Sequence, residues 1–300
     1  MTARNKAAIR SAIGILTIAF TFAFFPNPPA STQENRLTAQ QVIDRIKKNV
    51  GVPWREQTVD TFKAGNPEAP ITGVATTMMA TFDVLKRAAA SGKNLIITHE
   101  PTFYDHLDKL EDLEKENDAV TAAKLAFIKE HNLVVWRFHD HWHMRKPDGI
   151  QTGMVRALGW ERFQSGDRGG VFVIPETTLG KLASDIKARL DIRTMRVIGD
   201  PNMKLTKVAL APGAPGFQRQ RQILQRDDVE ALLIGEAREW ETIEYGDDAV
   251  AEGKRKALIV LGHIPSEQAG MDECARWLKT FVTEVPVEFI PAKEPFWAPK

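Results

Sequence analysis

An imidazole and a carboxylate stand side by side at His99-Glu100, at the end of the apolar run Asn94-Leu-Ile-Ile-Thr98. Both donors suit Zn, Mn, Fe or Co, and Pro101 holds Glu100 extended as the chain leaves the run. A second group, His139, His141 and His143, alternates along the chain. In an extended segment the three rings share one face. Three imidazoles on one face suggest metal, and the pattern leaves open which of them bind and which hold a ligand's ring from behind. A third pair, His263 and Glu267, is four residues apart. With a helix starting near Pro265, that spacing brings both side chains to one side of its first turn. Each piece alone is common: a surface His-Glu pair, a polar loop, a helix start with an incidental histidine. Together they would bind a divalent metal.

The elements around them explain how they could meet. Asn94–Thr98, Leu133–Phe138 and Ala257–Leu261 read as short buried strands, and each leads directly into a histidine of the set. In an α/β sheet the carboxyl ends of parallel strands line one edge, where residues far apart in sequence converge. Helical spacing of apolar residues predicts helices over 37–50 (Thr38 as cap), 81–90, 150–158, 178–190 and 266–282, and a charged amphipathic region over 107–130. Strands are expected at 171–174, 208–210, 231–234 and 287–290. The turn Gly213-Ala-Pro-Gly216 is too short for a phosphate loop and lacks its Gly-Lys-Ser/Thr ending, so it reads as structural, with lining of the substrate mouth as the alternative.

Composition narrows the function. Lysine plus arginine (40) nearly cancel aspartate plus glutamate (39) over 300 residues, without the basic excess that nucleic-acid binding calls for. The single cysteine, Cys274, excludes an intramolecular disulfide and a cysteine-based zinc site. It sits in an apolar helical pattern and reads as a packed thiol. No Gly-x-Ser-x-Gly elbow supports a serine hydrolase. At the N-terminus, Arg4, Lys6 and Arg10 precede the uncharged stretch Ser11–Phe25, followed by prolines and Ala30. A basic start, a short apolar run and a small-residue exit describe a signal peptide over 1–30. The expectation is export to the periplasm or medium, with an uncleaved anchor as the alternative and no membrane association once the leader is removed.

In this order, four stretches resemble the Nif-three-like dinuclear metal-centre family, some of whose members are described as GTP cyclohydrolases of the type 2 class. They are Leu95–Pro101, Val135–Gly159, Leu233–Glu236 and Gly262–Glu267, and the ending Glu294-Pro-Phe296 is similar too. The family's first motif is Ile-Thr-His-His-Pro; here its second histidine is Glu100. Its second motif is His-Thr-Asn-Leu-Asp; with His139 aligned to the histidine, His143 takes the aspartate's place. The third, Gly-His-x-x-x-Glu, is intact at His263 and Glu267. The donor inventory of three imidazoles and two carboxylates is thus kept. The family's Thr-Gly-Asp reads Ile234-Gly235-Glu236, its following histidine reads Trp240, and its acidic Asp-x-Thr reads Met79-Ala80-Thr81.

The resemblance implies an α/β fold of two similar mixed-sheet halves, near 37–160 and 161–300, with a dinuclear site between them. It implies two divalent ions (Zn, Fe or Mn) held by His99, Glu100, His143, His263 and Glu267. His139 or His141 would move protons or support a ligand. It also implies self-association, often as a hexameric ring. The function expected is metal-dependent hydrolysis of an unidentified small molecule. A metal-binding or scaffold protein without catalysis is the alternative.

Overall fold

The computed structural model describes residues 36–164 and 170–299, so the expected leader lies outside the described residues. Ten strands are present among them: β1 (Phe62–Ala64), β2 (Val74–Thr77), β3 (Leu95–Thr98), β4 (Val134–Arg137), β5 (Val171–Thr178), β6 (Arg196–Ile198), β7 (Lys204–Ala211), β8 (Ala231–Ile234), β9 (Ala257–Val260) and β10 (Val287–Phe289). They form two five-stranded mixed sheets, ordered β1-β4-β3-β2-β10 and β5-β7-β8-β9-β6. In the first, β10, β2, β3 and β4 run parallel and β1 closes the edge antiparallel. In the second, β7, β8 and β9 are parallel between antiparallel edges. The expected α/β fold with two similar mixed sheets is therefore what the chain adopts.

The central strands Leu-Ile-Ile-Thr, Val-Val-Trp-Arg, Ala-Leu-Leu-Ile and Ala-Leu-Ile-Val are buried at every position. Helices cover both faces of a parallel sheet, so such strands read as continuous apolar runs rather than alternating ones. The helices are α1 (Ala39–Asn49), α2 (Phe82–Ala90), α3 (Glu111–Lys115), α4 (Ala119–Glu130), α5 (Asp140–Met144), α6 (Gly149–Leu158), α7 (Leu179–Arg189), α8 (Phe217–Leu224), α9 (Glu244–Ala251) and α10 (His263–Leu278). Local signals fix several starts. Thr38 and Gln41 exchange hydrogen bonds in a capping box before α1, and Asp148 caps α6 through the Gln151 N–H at 3.1 Å.

Residue 160 does not divide the cores. The first core gathers residues from Leu37 to Ile150 together with Ile264–Ala292, and β10 returns from the far end of the chain to pair with β2. Helix α6 belongs to both: Ile150 packs in the first core, Met154 and Leu158 in the second. Glycines allow α6 and α10 to lie close. A Cβ on Gly153 would overlap the Ala269 carbonyl, and one on Gly270 would overlap Ile150. Trp142 donates its indole N–H to the Gly270 carbonyl at 3.2 Å. This contact carries α10 across to the parallel-strand ends of the first sheet, where the histidines gather.

Candidate metal centre

Parallel register sets the first candidate donors. Thr98 pairs with Thr77 on one side and Arg137 on the other, so the residues just beyond β3 and β4 emerge together at one edge. His99 comes directly after β3 and is fully buried. Its N–H donates to the Thr77 carbonyl at 3.0 Å, and the Glu100 N–H to the Met78 carbonyl at 2.8 Å, so both sit on a fixed backbone.

The segment 139–143 is not extended. It turns into α5, whose start has no side-chain cap of its own. Asp60 performs that task from the stretch before β1. Its Oδ1 accepts from the His139 and Asp140 N–H groups at 2.6 and 2.9 Å, and its Oδ2 from the His141 N–H at 2.9 Å. The change of period sorts the histidines. His139 and His143, four apart, share the face toward His99, with ring centroids at 4.6, 4.9 and 4.9 Å. His141 points the other way. Its Nε2 accepts from the Arg55 N–H at 2.9 Å, so its proton is on Nδ1 and is donated to Asp60 at 2.7 Å. The ring lies flat on Trp54 at 3.6 Å. Both nitrogens are thus spent on holding the 54–60 segment, and His141 is not among the rings that gather.

Helix α10 brings the third part. Gly262, at φ +90°, turns the chain into His263, with Glu267 one turn on. Glu267 is 3 % exposed and lies among three imidazoles: 3.1 Å from His263 Nε2, 3.7 Å from His99 Nε2 and 3.9 Å from His143 Nε2. Glu100 Oε1 lies 3.4 Å from His263 Nε2 and 3.8 Å from His139 Nε2. The structure therefore brings His99, Glu100, His143, His263 and Glu267 together, with His139 beside them.

The donors fit a metal ion. Each of the rings at 99, 139 and 143 has its Nδ1 against an oxygen of the protein: the Phe138 carbonyl at 3.1 Å, Asp140 at 2.9 Å and Asp148 at 2.9 Å. That is the arrangement in which outer partners fix the tautomer and aim Nε2 at a metal. His99 Nε2 is buried and has no hydrogen-bond partner. Nitrogens of His99, His139 and His143 lie within 4.8 Å of one another, and so do donor atoms of His99, Glu100 and Glu267, so either group could hold an ion.

Charge follows burial and contact. Burial pushes His99 well below the usual histidine range, helped by charge on His139 and His143, which leaves it neutral. For Glu100 burial acts upward, but the His263 hydrogen bond and the neighbouring imidazoles outweigh it and hold the carboxyl well below its usual range. For His263 burial acts downward and is outweighed by hydrogen bonds to Glu100, Glu236 and Glu267, which push the ring up to about 12. An ion entering here displaces that proton.

Several residues of the site carry no motif. Arg137 is fully buried; its Nε donates to the His99 carbonyl at 3.1 Å and its Nη2 to Glu100 Oε2 at 3.5 Å. An arginine inside the apolar run Val-Val-Trp-Arg-Phe is the one sequence sign of it. Gly213 is required by Glu267, because a Cβ there would overlap Oε1, and the Gly213 N–H donates to Ser266 Oγ at 3.0 Å. The Gly213–Gly216 turn, read as structural, thus closes directly over the centre. A cavity of about 900 Å³ opens onto Glu100, His139, His143 and Glu267, and its lining includes Lys124, Lys146 and Arg219. A second, of about 1350 Å³, meets it at Glu236 and His263 and extends toward Phe217, Phe296 and Trp297. Trp240, which stands where the family's next histidine is expected, is 72 % exposed and takes no part in the cluster.

Comparison with known proteins places the chain in a family. Two curated relatives are each named GTP cyclohydrolase 1 type 2 homolog. The one from Clostridium acetobutylicum is 24% identical over 216 residues, covering 68% of this chain and 75% of its own. The one from Clostridium perfringens is 23% identical over 241 residues, covering 77% and 86%. Among solved structures, a hypothetical protein of Staphylococcus aureus shares the fold with TM-score 0.69 at 16% identity, covering 88% of this chain and 100% of its own. A Bacillus cereus protein related to NIF3 does so with TM-score 0.66 at 14% identity, covering 87% and 99%. A family model, DUF34/NIF3 (NGG1p interacting factor 3), matches residues 35–295. With that match spanning the described fold and the whole cluster, the chain belongs to the DUF34/NIF3 family.

Proposed function

We propose that this protein is a dinuclear metal-dependent hydrolase of a small molecule. The observation that carries the reading is a set of four imidazoles and two carboxylates, aimed inward, at the floor of a cavity large enough for a substrate. Bound divalent ions supply Lewis acidity and lower the pKa of water toward neutrality. The chain's own residues do the rest. Glu100 and Glu267 lie between the imidazoles and bring two negative charges to the site. Arg137 fixes Glu100 from behind. The Gly213 turn packs directly against Glu267, while Lys146 and Arg219 in the cavity lining suit an anionic substrate.

The name shared by the two clostridial relatives makes GTP the first compound to test. The decisive experiment combines elemental analysis of the purified protein with a turnover screen of GTP, phosphate esters and cyclic amides. Turnover that disappears with chelator and in Glu267→Gln, and returns to the parent with added metal, supports the hydrolase. Tight metal binding without turnover on any substrate favours the non-catalytic alternative, to which the exchange of histidine and carboxylate at 100 and 143 lends weight. Export and self-association belong to the same proposal. They are supported by the leader-like N-terminus and by exposed Trp240, Phe296 and Trp297. Cell fractionation and sedimentation test them.

A further inference from the structure

The imidazoles of the centre are not equivalent. At His99, His139 and His143 the Nδ1 atom is held by a carbonyl or a carboxylate, which aims each Nε2 inward as a metal donor. His99 Nε2 is buried without a hydrogen-bond partner, and Glu100 and Glu267 stay 3.8 and 3.9 Å from His139 and His143 Nε2, beyond hydrogen-bond reach. One ring nitrogen of each of the three lies within 4.8 Å of the others, close enough for one cation. His263 is different. Its Nδ1 lies 3.4 Å from Glu236, and its Nε2 faces Glu267 at 3.1 Å and Glu100 at 3.4 Å, closer than His99 to Glu267 at 3.7 Å or His139 to Glu100 at 3.8 Å. His99 is within reach of both groups, but its one free nitrogen serves one ion at a time, which leaves a set of three nitrogens and a set of one nitrogen and two carboxylates.

We propose that the centre has two unequal ion positions: an all-imidazole position at His99, His139 and His143 that fills first with zinc, and a carboxylate-rich position at His263, Glu100 and Glu267 that fills second and accepts a harder ion such as Mn²⁺. This rests on the metal-binding part of the proposed function and not on hydrolysis. Three imidazoles with an open fourth position make a neutral nitrogen site, which favours zinc over manganese. Two carboxylates neutralise a single dication and, as oxygen donors, narrow the preference for zinc. Each position has its own outer support, Asp140 and Asp148 for the first and Glu236 for the second. The assignment makes His139 a ligand rather than a proton carrier.

The test is metal competition on the full chain. Equilibrium dialysis against Zn²⁺ and Mn²⁺ with elemental analysis gives stoichiometry and affinity, and crystals holding one equivalent of zinc with excess manganese give positions by anomalous scattering at each edge. The expected result is zinc among His99, His139 and His143, and manganese beside His263. His139→Ala weakens the first zinc by more than about 100-fold, since loss of an outer carboxylate alone costs about 10–100-fold. Asp148→Asn, which keeps a good helix cap, weakens it by about 10-fold. Glu236→Gln leaves the first zinc unchanged and weakens the second ion by about 10-fold. Should His139→Ala fail to fold, the Asp148 and Glu236 pair still decides. A parent that retains no ion, two ions of equal affinity, zinc at the carboxylates, or variants that weaken both ions alike would overturn the proposal. Unequal binding without turnover leaves it standing and removes the hydrolase reading instead.

Discussion

Two histidines of the same cluster are driven in opposite directions, and the cause is the count of carboxylates each one meets. His99 has its one hydrogen bond to a carbonyl and is surrounded by other imidazoles, so burial dominates and it stays neutral. His263 meets Glu100, Glu236 and Glu267 and is held protonated until metal enters. Asp140 has a plainer role. Burial acts to raise its pKa, but hydrogen bonds from His139, Thr58 and the Val59 N–H bring it down to about 2 from 3.8. A carboxyl depressed in the fold contributes stability that is fully present above its unfolded value and is lost as pH falls through the folded one. We therefore expect the Tm difference between the metal-free parent and Asp140→Asn to be constant from neutral pH down to near 3.8 and to shrink toward about 2. A difference that instead grows with acidity would show that Asp140 is not the group held by His139 and Thr58.

Helix α5 exists in its position because a carboxylate outside it supplies the missing cap. Its five residues are too few to be stable alone. Asp60 satisfies three of its first N–H groups and the His141 ring. Replacing Asp60 by Ala leaves four donors, two of them buried, without their acceptor and is expected to cost about 3 kcal/mol. Circular dichroism should read this as a Tm drop of roughly 6–12 °C, accompanied by weaker metal binding because His139 and His143 lose their mount. The α6–α10 crossing depends on absence of side chain. Gly153→Ala places a methyl against the Ala269 carbonyl and should cost about 1–3 kcal/mol by overpacking. Gly246→Ala in α9, whose Cβ would meet only ordinary contacts, should instead be neutral or stabilising by up to about 1 kcal/mol. Denaturant midpoints of the two variants separate crowding from helix propensity.

At the scale of the whole molecule, the chain closes on itself before its site is complete. The N-terminal part supplies His99, Glu100, His139 and His143, and α10 supplies His263 and Glu267 after the second sheet has been built. The strand that follows, β10, returns to the first sheet beside β2. Truncation after Val282 removes β10, leaves the backbone edge of β2 unpaired, and takes away Ile290 and Ala292 from the first core. It should abolish cooperative unfolding and soluble expression rather than merely weaken metal binding. A soluble, cooperatively folding truncated chain would show that the first sheet is complete without its last strand.

The sequence by itself determined the donors and the edge they come from. Buried parallel strands are apolar nearly throughout, so the histidines that follow β3 and begin α10 stand out against Leu-Ile-Ile-Thr and Ala-Leu-Ile-Val. The intact Gly-His-x-x-x-Glu also carries its spacing with it, because four residues make one helical turn. The roles within 139–143 were not legible. Alternate spacing reads as one face of a strand, and only Asp60, about eighty residues upstream, caps the segment into a helix and turns His141 away. Nor did spacing reveal Arg137, Gly213 or the return of β10. Their importance lies in contacts between elements distant along the chain. A linear pattern records the period of each element but not which neighbour it will meet, so what lies behind each ligand was decided by the tertiary structure alone.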